Sequence, residues 1–524
     1  MADFYYSAEN YDKAIEYGKK AMDMTGTLFG DHSYEYASFA LKMAQYYYSK
    51  GRYNSSISQT TTNLCFENAI KNLKINIKVI NDSLMADFDK LESIEKYKLW
   101  QKVCPLYDRL LPCYVAYYQN DSTISDLYNS VLFSKGITWR NYREAIKGDW
   151  RIIQKRLNSD DIAIEFISPV DLDEENITFY ALILNSNNSV PHMVKLFDMV
   201  QLQESLKKAI TSFEKDFAIG KLIWGTLEDE LKGYKNIYFS ATHVFHNIPI
   251  EYLPIDDKSF YCDKYNIFRV TSTMELISNN MPQYKTAVLY GGLDYESNPL
   301  VHNDNEKTRS GLEPLPNTAV EVQDISQLLL NRGLNCEIYT GLQGTEISFK
   351  QLSNQSINIL HLSTHGNYIR DDGSSKYLVE ACALSNSYLV LSGANKRLYD
   401  SSTDEKNDGI ITALDISQMD FNSLDLVCLS ACESALGAYS DDDGIIGLQK
   451  GFKMAGANTI LMSINKVDDE ATRIMMVEFY RNLMSGKTKH QSLTDAQHYL
   501  RSVESGKYDD PKYWASFIML DGLN

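Results

Sequence analysis

The sequence predicts two architectures in one chain: an all-α region over residues 1–159, then an α/β part with a mostly parallel sheet flanked by helices. Three observations carry this expectation. Residues 1–160 have helical apolar spacing, almost no strand pattern and few glycines. At Asp160-Asp161 the pattern changes to apolar runs of strand length that alternate with helical stretches. Two of those runs stop abruptly in small and polar residues, one at Ser363-Thr364-His365-Gly366 and the other at Ser430-Ala431-Cys432-Glu433.

The helical region repeats itself. Shifting the chain by 42 positions aligns Tyr5 with Tyr47, Tyr6 with Tyr48, Ser7 with Ser49, Tyr11 with Tyr53 and Ile15 with Ile57. A repeat of that length implies stacked helix pairs, none of which buries its apolar face alone. Asn10-Tyr11-Asp12-Lys13-Ala14-Ile15 reads as a turn and the start of a second helix, and Leu28-Phe29-Gly30-Asp31-His32 as a loop between repeats. This pattern resembles tetratricopeptide repeats, with residues 1–65 forming a partial array, and the resemblance implies a protein-binding concave surface. Residues 66–159 continue as connecting helices, with Ile77–Ile80, Leu106-Leu110-Leu111 and Leu127-Val131-Leu132 as core stripes.

In the α/β part, strands are expected at Ile162–Ile167, Ile177–Leu184 and Asn236–Ser240, with a helix over Leu202–Phe217. A second unit opens with the strand Thr286–Gly292. It continues with a helix over Thr318–Leu330, a strand around Cys336–Tyr339 and the two strands that end near His365 and Cys432. A helix over Ile445–Met454, the strand Thr459–Ser463 and a helix over Asp469–Leu483 complete it. The polar insertion Ser392–Gly409 has little to bury and is expected as a mobile surface loop. In doubly covered parallel sheets, chemistry gathers beyond the carboxyl ends of the strands. His365 and Cys432 both fall there.

Charge and composition narrow the function. With 51 Lys and Arg against 69 Asp and Glu, the net charge is −18. That balance argues against a nucleic-acid backbone or an anionic membrane as partner and favours a basic protein segment. No apolar run reaches membrane-spanning length, and Met1-Ala2-Asp3-Phe4-Tyr5 has no leader pattern, so a cytoplasmic protein is expected. Eight cysteines show no framework spacing and no CxxC pair, which points to free thiols in a reducing compartment. No metal or cofactor is expected. His361 and His365 form HxxxH without the intervening glutamate of a zinc helix.

A cysteine nucleophile needs its thiolate, and an adjacent histidine is the usual base. Strand-end placement of Cys432 and His365 is expected to present both to substrate, and Gly366 lets the backbone come close, so the N–H groups of Gly366 and Cys432 are the expected oxyanion donors. Cys428 lies mid-strand and reads as core. The competing readings are a catalytically dead scaffold that only binds, and a cysteine acyltransferase or deamidase that uses the same pair.

Ser363-Thr364-His365-Gly366 and Leu429-Ser430-Ala431-Cys432-Glu433-Ser434 resemble the signature of the CHAT family, peptidases of the caspase and separase clan associated with tetratricopeptide repeats. So do Asp443-Gly444-Ile445-Ile446-Gly447-Leu448, Ala455-Gly456-Ala457, Val467-Asp468-Asp469, Tyr513–Phe517 and His246–Glu251. The resemblance implies a caspase-like fold with an inactive, pseudo-caspase α/β subdomain at 160–280 and the active one at 281–524. It implies His365 as general base, Cys432 as nucleophile and a protein substrate. By analogy with separases it makes Asp469, with Asp468 as second choice, the residue that selects Arg or Lys before the cut. The alternative is that Asp469 simply caps the helix that begins there. Lys396-Arg397 then reads as a self-cleavage site. Such chains resemble regulated effectors, including bacterial defence and cell-death proteins, whose repeats hold a regulatory partner.

Overall fold

A computed structural model describes residues 1–83, 87–91, 93–139, 148–170, 176–278, 282–296, 312–368, 384–395, 408–430, 437–440 and 444–524. The chain divides into two compact units, Met1–Lys235 with Ser272–Met274, and Asn236–Thr271 with Glu275–Asn524. The boundary at 235/236 lies within the stretch 160–280.

The first unit is mostly helical. Helices α1 (Ala2–Ser7), α2 (Tyr11–Phe29), α3 (Tyr34–Asn54) and α4 (Gln59–Ser83) each pack on the next in sequence. Side chains of Asn10 and Ser33 cap α2 and α3 by accepting the free N–H groups of Lys13 and Tyr36. Gly30, at φ 88°, ends α2 where the inter-repeat loop was expected. Helices α2 and α3 approach closely at Gly18, where a Cβ would stand 2.5 Å from the Met43 sulfur. The 42-residue correspondence holds only as far as Ser49. Helix α1 stops at Ser7 whereas α3 runs on to Asn54, so Tyr11 starts α2 while Tyr53 ends α3. Ile15 is buried at 7% exposure and Ile57 stands in a turn at 69%. The boundary expected at residue 65 falls inside α4.

Helices α5 (Ser93–Val103), α6 (Leu111–Tyr117), α7 (Asp121–Ser134) and α8 (Trp150–Gln154) follow. Tyr114 of α6 stacks on Tyr48 at 4.7 Å and Tyr117 on Phe66 at 5.1 Å, which joins them to the repeats. Strands β1 (Asp161–Ile167), β2 (Thr178–Asn185) and β3 (His192–Asp198) form an antiparallel meander rather than a parallel array. The single helix expected at Leu202–Phe217 is two, α9 (Met199–Lys208) and α10 (Ser212–Gly220). The break is local chemistry: Thr211 and Glu214 form a capping box, with the Glu214 carboxylate accepting from Thr211 N–H and the Thr211 hydroxyl from Glu214 N–H.

The second unit holds strands β4 (Asn236–Ser240), β5 (Asn266–Val270), β6 (Thr286–Leu293), β7 (Asn335–Gly341), β8 (Ile359–Leu362), β12 (Leu426–Leu429), β15 (Thr459–Ser463) and β16 (Phe517–Leu520). Their order is β4-β5-β16-β15-β12-β8-β6-β7. The five from β15 to β7 are mutually parallel, as are β4, β5 and β16, and the two groups meet antiparallel at β16–β15. Short strands β9 (Gly366–Tyr368), β10 (Ser387–Val390) and β11 (Ile410–Thr412) make a separate sheet, and β13 (Gly437–Ser440) pairs with β14 (Gly444–Gly447). Residues 445–447, expected as helix, belong to β14. Helix α12 (Leu448–Met454) starts only at Leu448.

Alternate residues of the central strands enter separate cores. Val288, Leu360, Val427 and Ile460 face one, while Leu289, Ile359, Cys428 and Leu461 face the other. Burial on both faces is why these strands read as unbroken apolar runs. Helices α11 (Pro316–Asn331), α13 (Asp469–Met484) and α14 (Lys489–Ser502) supply Val322, Met476 and Leu493 to the second core.

Candidate active site

Strands β8 and β12 are parallel neighbours, with Leu362 opposite Leu429. His365 lies three residues beyond Leu362, and Cys432 three residues beyond Leu429. Cys432, with the rest of 431–436, is outside the described residues, as are Lys396-Arg397. The strand-end segment before His365 is held firmly. The Thr364 hydroxyl donates to Val390 O at 2.6 Å and shares a hydrogen bond of 3.0 Å with the Tyr295 hydroxyl. His365 O accepts from Val390 N–H at 2.9 Å. Gly366 then opens β9, paired with Leu389.

The His365 ring is partly exposed and lies 5.1 Å from the Tyr295 ring. Its Nε2 is 2.8 Å from the carbonyl oxygen of Glu313. A carbonyl only accepts, so Nε2 carries a proton, and in the neutral ring the lone pair is then on Nδ1. Glu313 was not foreseen. A backbone carbonyl contributed 52 residues upstream leaves no side-chain signature in sequence.

Asp468 and Asp469 have different surroundings. Asp468 is the N-cap of α13 and accepts from Ala471 N–H at 2.9 Å. The capping role therefore belongs to Asp468. Asp469 is half-buried, and its Oδ2 accepts from Asn317 N–H at 3.3 Å. Burial pushes its carboxyl above the usual range, and the nearby charges of Glu321 and Asp468 add to this. Its own charge in turn raises the Tyr295 phenol, which burial has already pushed up.

Four residues earlier, within β8, His361 is fully buried. Its Nε2 is 2.8 Å from Glu321 Oε1 and its Nδ1 is 3.3 Å from the Tyr480 hydroxyl, which also donates to Cys428 Sγ at 3.1 Å. Burial lifts the Cys428 thiol to about 12. Among the described residues, no group of three His, Cys, Asp or Glu side chains is placed to hold a metal ion, and six cysteines are free thiols.

The insertion Ser392–Gly409 departs from expectation at its described ends. Ser392, Ala394 and Asn395 are buried, because Ala394 joins the core and the Asn395 amide bonds Glu296 Oε1 at 2.6 Å and Leu312 N–H at 2.8 Å.

Among the described residues, no helix is long and apolar enough to cross a membrane. The chain is 29% identical over 111 residues to mouse (Mus musculus) tetratricopeptide repeat protein 28, and 27% identical to the human (Homo sapiens) protein. That stretch is 21% of this chain and only 4% of each relative's length. Among solved structures, it is similar to the Saccharomyces cerevisiae separase–securin complex, at 9% identity and TM-score 0.45, covering 99% of this chain and 44% of that one. It is also similar to the Arg-specific cysteine proteinase gingipain R, at 12% identity and TM-score 0.34, covering 59% and 68%. The CHAT domain model matches residues 218–522, more than half of the sequence. The chain belongs to the CHAT domain family.

Proposed function

We propose that this protein is a cysteine endopeptidase in which Cys432 and His365 form the catalytic pair. The observation that carries the reading is their common offset, three residues beyond a matched residue pair on adjacent parallel strands, together with the contact of His365 Nε2 with Glu313 O, which leaves the lone pair of the neutral ring on Nδ1. Nδ1 takes the thiol proton, and the thiolate attacks the scissile carbonyl carbon. The tetrahedral oxyanion is held by the N–H groups of Gly366 and Cys432. Its collapse breaks the C–N bond, and the protonated imidazole returns its proton to the leaving amine. Water, deprotonated by the same nitrogen, then hydrolyses the thioester and frees Cys432.

Asp469 selects Arg or Lys before the cut. Its support is a negative environment: its carboxyl is pushed up by burial and crowded by Glu321 and Asp468, a state that a bound cation relieves. The subdomain at 160–280 is inactive, and the helical repeats of residues 1–65 hold a regulatory protein, in an effector of the defence or cell-death type. A peptidyl chloromethyl ketone ending in Arg tests the pair. One covalent adduct on Cys432 by mass spectrometry is expected, and its absence from wild type would favour a binding-only scaffold. Unchanged preference for Arg-P1 peptides in Asp469→Ala would remove the selectivity role.

A further inference from the structure

The carbonyl that orients His365 belongs to a short segment, Leu312–Asn317, fixed from both sides. At its start, Leu312 N–H donates to Asn395 Oδ1 at 2.8 Å, and Asn395 Nδ2 donates back to Leu312 O at 3.3 Å. Asn395 is 1% exposed, and its amide is also tied to Glu296. At its end the segment becomes helix α11, whose N-cap, Leu315, has no side-chain oxygen to offer. Pro316 at the first helical position has no N–H, so Asn317 presents the first orphan donor. That donor is met by Asp469, from a different helix. Asp469 therefore caps α11 in trans, and its negative charge also suits the positive end of the α11 dipole. Glu313 O lies between the two anchors and receives His365 Nε2–H.

We propose that Asp469 and Asn395 are positioning residues for His365. By pinning Leu312–Asn317 at both ends they hold the Glu313 carbonyl against Nε2, and so keep the proton there and the lone pair on Nδ1. The proposal rests on His365 as the general base. It gives Asp469 a second task beside selectivity, exercised through its hydrogen bond rather than its charge.

Conservative and truncating variants separate these tasks. Asn at 469 can still accept from Asn317 N–H but is neutral, whereas Ala can do neither. The His365 ring is observed in the full chain by ¹⁵N NMR after histidine labelling, with its signals assigned by their loss in His365→Gln. Wild type and Asp469→Asn should both show the Nε2–H tautomer. Asp469→Ala and Asn395→Ala should show a mixture. With a peptide bearing a neutral P1 residue, kcat should fall by about ten- to a hundredfold in both Ala variants, with KM unchanged. Asp469→Asn should lose the preference for Arg and Lys, and its fall in kcat with the neutral-P1 peptide should be smaller than that of Asp469→Ala. An Asp469→Ala protein that retains a pure Nε2–H tautomer would overturn the proposal, as would equal losses in Asn and Ala. Should Asp469→Ala not fold, Asn395→Ala acts on the other end of the segment and decides in its place. The tautomer is read without turnover, so an inactive wild type would defeat the peptidase reading and still leave the positioning role decided.

Discussion

Two histidines stand four residues apart at one strand, and their surroundings differ in kind. His361 lies within β8, fully buried, with both ring nitrogens engaged by Glu321 and Tyr480. His365 lies past the strand end, partly exposed, with Nε2 bonded to Glu313 O. Cys428, opposite His361 in register, is a core thiol whose ionisation burial suppresses, and Cys432 follows it four residues later in the sequence. Residue type does not distinguish members of these pairs. Distance beyond the last buried strand residue does.

The largest test of that contrast is deletion of each cysteine. Cys432→Ala should lower turnover of an Arg-P1 peptide by at least about a thousandfold. Cys428→Ala should leave it nearly intact and lower the unfolding free energy by about 1 kcal/mol. Equal activity losses would erase the distinction. Next in size is Glu321→Ala, which leaves a buried His361 nitrogen without its acceptor. Urea denaturation should show a loss of about 1–3 kcal/mol, with Glu321→Gln costing less.

The smallest effects are on pH dependence, where two carboxylates differ in sign. Burial raises Asp263, but hydrogen bonds from His498, Phe260 N–H and Arg501 outweigh it and hold the group at about 2. Its stabilising contribution is present above the unfolded value near 3.9 and is lost as pH falls through about 2, an acid limb that Asp263→Asn should remove. Asp469 is raised, so its contribution is full below the unfolded value and is lost as pH rises through the folded one. Asp469→Asn should therefore gain stability relative to wild type as pH rises above the unfolded value near 3.9. Thermal unfolding followed from about pH 2 up to neutrality measures both.

Much of this arrangement was legible in the residues. Doubly buried strands must be apolar throughout, so β6, β8, β12 and β15 stood out, and the sudden change to polar residues marked their ends. What the sequence could not supply was interaction at a distance. The acceptor of His365 is a main-chain atom, and Asn395 looked like loop because its partners, Glu296 and Leu312, are remote in sequence. The edge strand β3 was missed because its partly exposed residues lack a clean alternation. The repeat offset failed beyond Ser49 because identical tyrosines can sit on helices of unequal length.

The placement of β16 carries a consequence for synthesis. This strand lies between β5 and β15, and Asp521 after it accepts from both the N–H and hydroxyl of Thr271, 250 residues earlier. Until that stretch leaves the ribosome, β4 and β5 have no link through β16 to the strands that carry the candidate site. At ordinary elongation rates the wait is roughly ten to fifty seconds. Joining the two groups of strands thus waits for that stretch to be made, and any activity of the candidate site that depends on the joined sheet would wait with it.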